Sequence, residues 1–353
     1  NITNGSYYDR YVFRSNGDVE KGVWVAGAWS YTPVASFSWP VAGPPATTIN
    51  RTIAEEKQNF ATWYSFYRTR TKTAKGGVSE AFVDLGENIR VGFNTIWNRN
   101  AFNIPVASDD GLFRDNGAST NRSDWYTRVQ GAIAQNGTPL RASLTRTGEY
   151  FSDTSAAGPY GPQTGANQLS CRQNFTIFTT DGFWNSDTST VGNVDNEAGL
   201  PISSPTGASY TYTPSRPFMD VYANTLADVA MYYWKRDLRP DLINNLPTTT
   251  ANPAFWQHMV TFGISIGLKG TLDPVADWLG LLNGPTNWTD PINNTGLERI
   301  DDLFHASVNG HGEFVAASDP VELANAIKSA LAAIIGRVGS SSNVAANSVS
   351  VGA

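Results

Sequence analysis

Apolar side chains recur three and four positions apart from Thr52 to Leu85, at Phe60, Trp63, Tyr64, Tyr67, Val78, Ala81 and Phe82. That period predicts a long helix, bent at Gly76-Gly77, with Glu55 and Glu56 near its positive end and Arg68, Arg70, Lys72 and Lys75 further along. The same period marks Ser123 to Gln135 through Trp125, Val129 and Ile133, and Pro139 to Ser152 through Leu140, Leu144, Thr147 and Phe151. It returns from Val221 to Trp234 through Leu226, Val229, Ala230 and Tyr233, then in a short helix from Arg299 to Val308 and a last one from Pro320 to Ile335. Trp63, Tyr67, Tyr233 and Trp234 sit at this spacing and are expected in the core.

Between these helices lie mostly apolar runs of strand length: Arg90 to Trp97, Asn174 to Thr180, His258 to Gly267 and Gly312 to Ala317. Strands alternating with helices in this way predict a Rossmann-like wound, mostly parallel sheet with helices on both faces, an α/β fold. Residues 1 to 50 differ in texture. Aromatic bursts such as Tyr7-Tyr8-Asp9-Arg10-Tyr11-Val12-Phe13 are broken by Asn16-Gly17 and by Pro33, Pro40, Pro44 and Pro45, as in short strands joined by turns. A polar loop fills residues 182 to 218, a length that in a compact domain marks function or insertion. Beyond Gly336, Ser340-Ser341-Ser342-Asn343 has a linker composition.

Composition narrows the chemistry. The 353 residues carry a net charge of −6, too acidic and too evenly spread for nucleic-acid binding. Cys171 is the only cysteine, so an intrachain disulfide and a four-cysteine zinc site are excluded. No run approaches the roughly 18 apolar residues of a membrane-spanning helix. The chain opens at Asn1 without a basic-then-apolar leader, which reads as a processed chain or a fragment. Gly-x-Ser-x-Gly, a Walker loop and His-Glu-x-x-His are all absent, and the pairs Asp109-Asp110 and Asp301-Asp302 read as solvated turn residues, so catalysis is not expected.

Ligand sites in wound sheets gather at the carboxyl ends of strands, and Asp181 ends the run from Asn174 to Thr180. It is either a metal ligand or a turn residue bonding locally ahead of Gly182. His258, His305 and His311 lack the paired spacing of a zinc site and read as core or surface residues, and Cys171 as a partly buried thiol. Trp24, Trp29, Tyr31, Phe37 and Trp39, together with Phe183 and Trp184 beside Asp181, form either a contact surface for a partner or a small aromatic core under long insertions.

Five stretches carry a resemblance: Phe60 to Arg70 (FATWYSFYRTR), Gln173 to Asn185 (QNFTIFTTDGFWN), Ala227 to Trp234 (ADVAMYYW), Phe255 to Phe262 (FWQHMVTF) and His305 to Gly310 (HASVNG). Together they resemble the N-terminal half of the PilY family of bacterial type IV pilus proteins, over residues 52 to 336. The resemblance implies a von Willebrand factor A-like domain, in the family followed by a calcium-binding β-propeller of which nothing is present here. Such a domain holds Mg²⁺ or Mn²⁺ through an Asp-x-Ser-x-Ser loop, a Thr from a second loop and an Asp from a third. Thr138 in Asn136-Gly137-Thr138-Pro139-Leu140 matches the second element and Asp181 the third, although Thr138 also stands where an N-cap would precede Pro139. The first element is missing. Its nearest imitation, Asp187-Thr188-Ser189-Thr190, follows no apolar run, so the central first strand is expected to come from upstream residues, from a separate chain or from a rearranged local strand.

The resulting expectation has three parts: an aromatic and Pro-rich insertion over 1–51, a von Willebrand factor A-like domain over 52–336, and a Ser-rich linker over 337–353. The resemblance implies a non-catalytic adhesion and assembly module at the tip of a type IV pilus, exported through the periplasm to the cell surface. It would bind minor pilins and a host-cell or surface ligand and support pilus biogenesis and twitching motility. The alternative is a scaffold that organises minor pilins without metal-dependent binding. Phe183 and Trp184 are the candidate ligand contacts, Thr138 and Asp181 the candidate cation ligands.

Overall fold

In the computed structural model, which describes residues 10–41, 46–185 and 187–349, the chain divides into two units, Asn1–Lys72 and Thr73–Ala353. Tyr7, Tyr8, Pro44, Pro45 and the end of the Ser-rich tail lie outside the described residues. In the first unit β1 (Arg10–Phe13), β2 (Val19–Val25) and β3 (Ala28–Pro33) form an antiparallel meander. Ala26 and Gly27 make its second turn, with φ of 50° and 86°, the left-handed pair that matches the twist of a tight hairpin. A second hairpin pairs β4 (Ser36–Val41) with β5 (Thr47–Thr52). Phe37 is buried here, and Tyr11 lies 5.2 Å from it and 5.6 Å from Trp39, so part of the N-terminal aromatic set forms a small core; Trp24 remains 58% exposed.

Helix α1 (Ile53–Phe66) starts at a capping box: Thr52 Oγ1 accepts from the Glu55 N–H, and the Glu55 carboxylate accepts from the Thr52 N–H at 2.7 Å. It ends at Tyr67, and α2 (Arg70–Phe82) begins where Thr69 Oγ1 accepts from the Lys72 N–H. The expected single helix is therefore two, and the break falls at a cap, not at Gly76-Gly77. Those glycines stay helical. A Cβ on Gly77 would sit 2.8 Å from Leu323 Cδ2, so the residue allows a close approach between helices. Trp63, expected in the core, is 47% exposed, and no residue of α1 is buried. The helix packs on the β4–β5 hairpin, which is too narrow to cover its aromatic face.

The second unit contains α3 (Asn121–Gly131), α4 (Leu140–Phe151), β6 (Asn174–Thr180), a short hairpin of β7 (Ile202–Ser203) and β8 (Ser209–Tyr210), α5 (Leu226–Trp234), β9 (Met259–Ile266), α6 (Trp278–Asn283), α7 (Glu298–Asn309), β10 (His311–Ala317) and α8 (Pro320–Val349). The sheet is parallel, in the order β6-β9-β10, with Asn174 opposite Met259 and Ala317 opposite Ile266. All eight residues of β9 are buried, because alternate side chains enter two layers. Met259 packs with Leu144, Ala230, Tyr233 and Leu303 from α4, α5 and α7. Ile264 and Ile266 pack with Phe82, Trp125 and Ile327 from α2, α3 and α8. Helices thus cover both faces, as the alternating pattern predicts, and Tyr233 and Trp234 are in the core as expected. None of the described helices is long and apolar enough to cross a membrane.

Three local expectations are corrected. Arg90 to Trp97 is no strand: it makes only single bridges, Arg90 to Leu112 and Phe93 to Phe102, while the Trp125 indole N–H takes up the Gly92 carbonyl. Among the described residues β6 pairs only with β9, so its other side offers no neighbour through which this segment could join the sheet. Helix α5 starts at Leu226, not Val221, because Thr225 and Asp228 form a buried capping box. Helix α8 continues to Val349 through the Ser-rich tail, since serine costs a helix only about half a kcal/mol per residue.

Candidate functional site

Asp181 stands exposed directly after β6, in a turn where Thr180 Oγ1 accepts from the Gly182 N–H at 3.2 Å. The loop continues through half-buried Phe183 to Asn185, which reaches the segment holding Thr138. Asn185 Oδ1 accepts from the Thr138 N–H at 2.9 Å, and the Asn185 N–H donates to the Thr138 carbonyl at 2.9 Å. The two segments expected to share a cation are thereby clamped together at the carboxyl end of the sheet. Thr138 does not cap α4; Pro139 occupies the cap position and offers no side-chain acceptor of its own.

The aspartate of the imitation loop does that work instead. Asp187 Oδ2 accepts from the Ala142 N–H at 3.1 Å, and its other oxygen pairs with the buried Arg141 guanidinium at 3.2 Å. A carboxylate at a helix start satisfies orphan N–H groups and complements the helix dipole. Trp184, a candidate ligand contact, is only 4% exposed. Arg141 and Arg299 lie 3.9 and 3.8 Å from its ring centroid, and its Nε1 donates to Asp302 at 2.8 Å. Its position fixes the loop from the inside.

Asp301 and Asp302, expected as solvated turn residues, are both buried on α7. Asp302 accepts from the Leu226 and Ala227 N–H groups at the start of α5, each at 3.0 Å. Asp301 accepts from the Leu272 N–H at 3.0 Å and the Thr289 hydroxyl at 2.9 Å. Periodicity missed them because each carboxylate closes a distant loop or helix end, a role with no local sequence pattern. Asp109 and Asp110 form ion pairs with Arg114 and Arg90. Cys171, expected to be partly buried, is exposed.

The three histidines separate. His258 donates from Nδ1 to the Trp256 carbonyl at 2.6 Å and accepts at Nε2 from the Asn252 NH₂ at 2.8 Å; burial holds it down at about 4. His311 stacks 3.8 Å from Trp234 and is likewise lowered by burial to about 4. His305 has acidic neighbours. Its Nδ1 lies 3.4 Å from Asp220 Oδ2, its Nε2 lies 3.7 Å from Asp195 Oδ2, and Nε2 meets the Phe218 carbonyl at 2.6 Å. Burial alone would lower His305, but Asp220 and Asp195 more than offset it and the net shift is upward. Burial pushes the Asp195 carboxyl up to about 6, and the Asp228 carboxyl next to it to about 7.

One ligand atom from each of Asp195, Asp220 and His305 falls within 4.8 Å of the others, a spacing at which one metal ion can be held. The sequence reading missed this group. Asp195 and Asp220 come from the long loop and the turn after it, and His305 from α7; the length of the loop was the available signal.

Comparison with known proteins gives one consistent answer. No family model and no solved structure matches the chain. The type IV pilus biogenesis factor PilY1 of Pseudomonas aeruginosa strain PAO1 is 32% identical over 371 aligned residues, covering 96% of this chain and 31% of that protein. The PilY1 proteins of strains PAK and UCBPP-PA14 are 33% and 32% identical, over 82% and 91% of this chain. The chain therefore spans less than a third of the length of the curated relatives it matches.

Proposed function

This chain is a relative of the type IV pilus biogenesis factor PilY1 over nearly its whole length, and from that premise we propose that it is a binding module of a type IV pilus, taking part in pilus biogenesis and carrying out no reaction of its own. It acts at the pilus tip on the cell surface, after export through the periplasm, where it contacts minor pilins and a host-cell or surface ligand and supports twitching motility. The second unit is a von Willebrand factor A-like domain in this reading, with Thr138 and Asp181 contributing to a Mg²⁺ or Mn²⁺ site whose open position a partner carboxylate completes. Phe183, half-buried on the same loop, contacts the bound partner in this reading.

The observation that carries this reading is the pair of backbone-to-Asn185 bonds that joins the Thr138 segment to the loop after β6. That β6 has a strand on one side only among the described residues supports it too, since a further parallel strand on the other side would bring its carboxyl end beside Asp181 and could supply the remaining ligands. The internal use of Trp184 and Asp187 favours a second reading, a scaffold for minor pilins that binds no cation at this loop.

A thermal shift decides between them. A longer chain including the residues that pair with β6 is expected to gain stability in Mg²⁺ or Mn²⁺, and Asp181→Ala to abolish the gain. No shift in that longer chain favours the scaffold.

A further inference from the structure

We propose that Asp195, Asp220 and His305 bind one divalent ion of the Zn²⁺ class, separate from the loop that carries Asp181. The group is deeply buried: Asp195 is 0%, His305 2% and Asp220 9% exposed. Two carboxylates facing a neutral imidazole leave two uncompensated negative charges out of water, and even a protonated ring cancels only one. A divalent ion cancels both. One imidazole and two carboxylates are a donor set that suits Zn²⁺.

The geometry points the same way. With Nε2–H donated to the Phe218 carbonyl, the lone pair of the neutral ring is on Nδ1, the usual arrangement for a histidine that ligates a metal, and Asp195 Oδ2, nearest Nε2 at 3.7 Å, stays within 4.8 Å of the other ligand atoms. Nδ1 faces Asp220 Oδ2 at 3.4 Å, long for a charge-assisted hydrogen bond. It is close to the separation of about 3.4 Å between two ligands held tetrahedrally at the usual zinc bond length of about 2.0–2.1 Å. The ring cannot turn away, because Trp288 stacks on it at 4.0 Å with planes 10° apart. The outer oxygen contacts are already made: Asp220 Oδ1 accepts from the Tyr222 N–H at 2.7 Å, and Asp195 Oδ1 from the Asp220 N–H at 3.1 Å.

A second observation is independent of the acid cluster. Asn309 is fully buried, its amide lies against Asp195 with Nδ2 2.9 Å from Oδ2, and its Oδ1 has no hydrogen-bond partner. The Asn309 NH₂ donates to Asp195 Oδ2 from behind, the kind of outer contact that orients a metal-ligating carboxylate.

The test uses the untagged 353-residue chain with Zn²⁺ as the only added metal, read by titration calorimetry and by metal content after dialysis. One Zn²⁺ per chain is expected. Asp220→Asn, which keeps the acceptor for Tyr222, should weaken uptake by about 100-fold or more, and Asn309→Ala by about 10–100-fold, as for loss of a residue supporting a ligand. His305→Gln provides a second reading should Asp220→Asn fail to melt cooperatively in EDTA. Asp181→Ala should retain the ion, which keeps this site distinct from the proposed Mg²⁺ or Mn²⁺ loop. No uptake by the wild type, or uptake unchanged in both Asp220→Asn and His305→Gln, overturns the proposal in favour of an imidazolium held between two carboxylates. Loss of Zn²⁺ in Asp181→Ala alone overturns it also, by placing the ion at the loop.

Discussion

Replacing Asp302 tests whether one buried carboxylate joins the Asp181 loop to the helical layer. Its two oxygens accept three hydrogen bonds: Leu226 N–H at 3.0 Å, Ala227 N–H at 3.0 Å and the Trp184 indole N–H at 2.8 Å. Asp302→Ala leaves all three donors buried and unpaired, at about 1–3 kcal/mol each, while removing a carboxylate whose own burial is unfavourable. The net expected loss is about 3–5 kcal/mol, the range for breaking a buried charged contact from one side. Asp302→Asn keeps one carbonyl oxygen, enough for Leu226 and Trp184, but turns an NH₂ toward the Ala227 N–H; about 1–3 kcal/mol should be lost. Against a total stability of about 5–15 kcal/mol the alanine variant approaches unfolding, so the asparagine variant gives the cleaner number. Equilibrium urea denaturation of the three proteins checks the order wild type, Asn, Ala. Two variants within about 0.5 kcal/mol of the wild type would refute the reasoning, because surface-like substitutions give changes of that size.

Two further outcomes follow from the same packing. Gly148→Ala should lower the melting temperature by overpacking, about 1–3 kcal/mol, because a Cβ there would stand 2.2 Å from the Tyr233 ring, whereas Gly336→Ala, with no atom within 4 Å, should gain about 1 kcal/mol of helix propensity. In EDTA, stability should fall as pH rises from about 6.5 to about 8, above the range in which the buried His258 and His311, both held at about 4, oppose this trend because the unfolded chain protonates them first. Asp195 (about 6) and Asp228 (about 7) bind protons more tightly folded than unfolded, and the raised His305 adds stability below its unfolded value that is lost above its folded one. Carboxyls held down by hydrogen bonds, such as Asp273 and Glu322, act only below about pH 4. Calorimetric melts at pH 6.5 and pH 8 check the sign, and a higher melting temperature at pH 8 would contradict it.

The layered core was legible because burial imposes a period. The run Asn174–Thr180 and the strand around Phe262 were found by it, as was the α4 stripe of Leu140, Leu144 and Phe151, since each alternates or repeats against a covered face. The same rule failed at Trp63 and Arg90–Trp97. Helical spacing of aromatics says which side chains share a face, not that a second layer covers it, and an apolar run becomes a strand only beside a neighbour with free backbone groups.

Carboxylates were the least legible, for a reason the structure makes plain. An aspartate in a loop has three competing uses: turn, helix cap or ligand. The first two depend on backbone N–H groups that sequence does not place. Asp187 goes to the start of α4, and Asp228 and Asp302 to the start of α5, which explains why a long loop rich in polar residues still packs Val194, Ile202 and Tyr212 into a core. Once those helix starts are satisfied, Asp195 and Asp220 stand apart: their Oδ2 atoms face an imidazole instead of a helix start. Helix capping stabilises the fold whether or not an ion is present. The carboxylates turned toward His305 add to stability only when a proton or a metal neutralises them, so the cluster's contribution depends on solution conditions in a way that the caps' contribution does not.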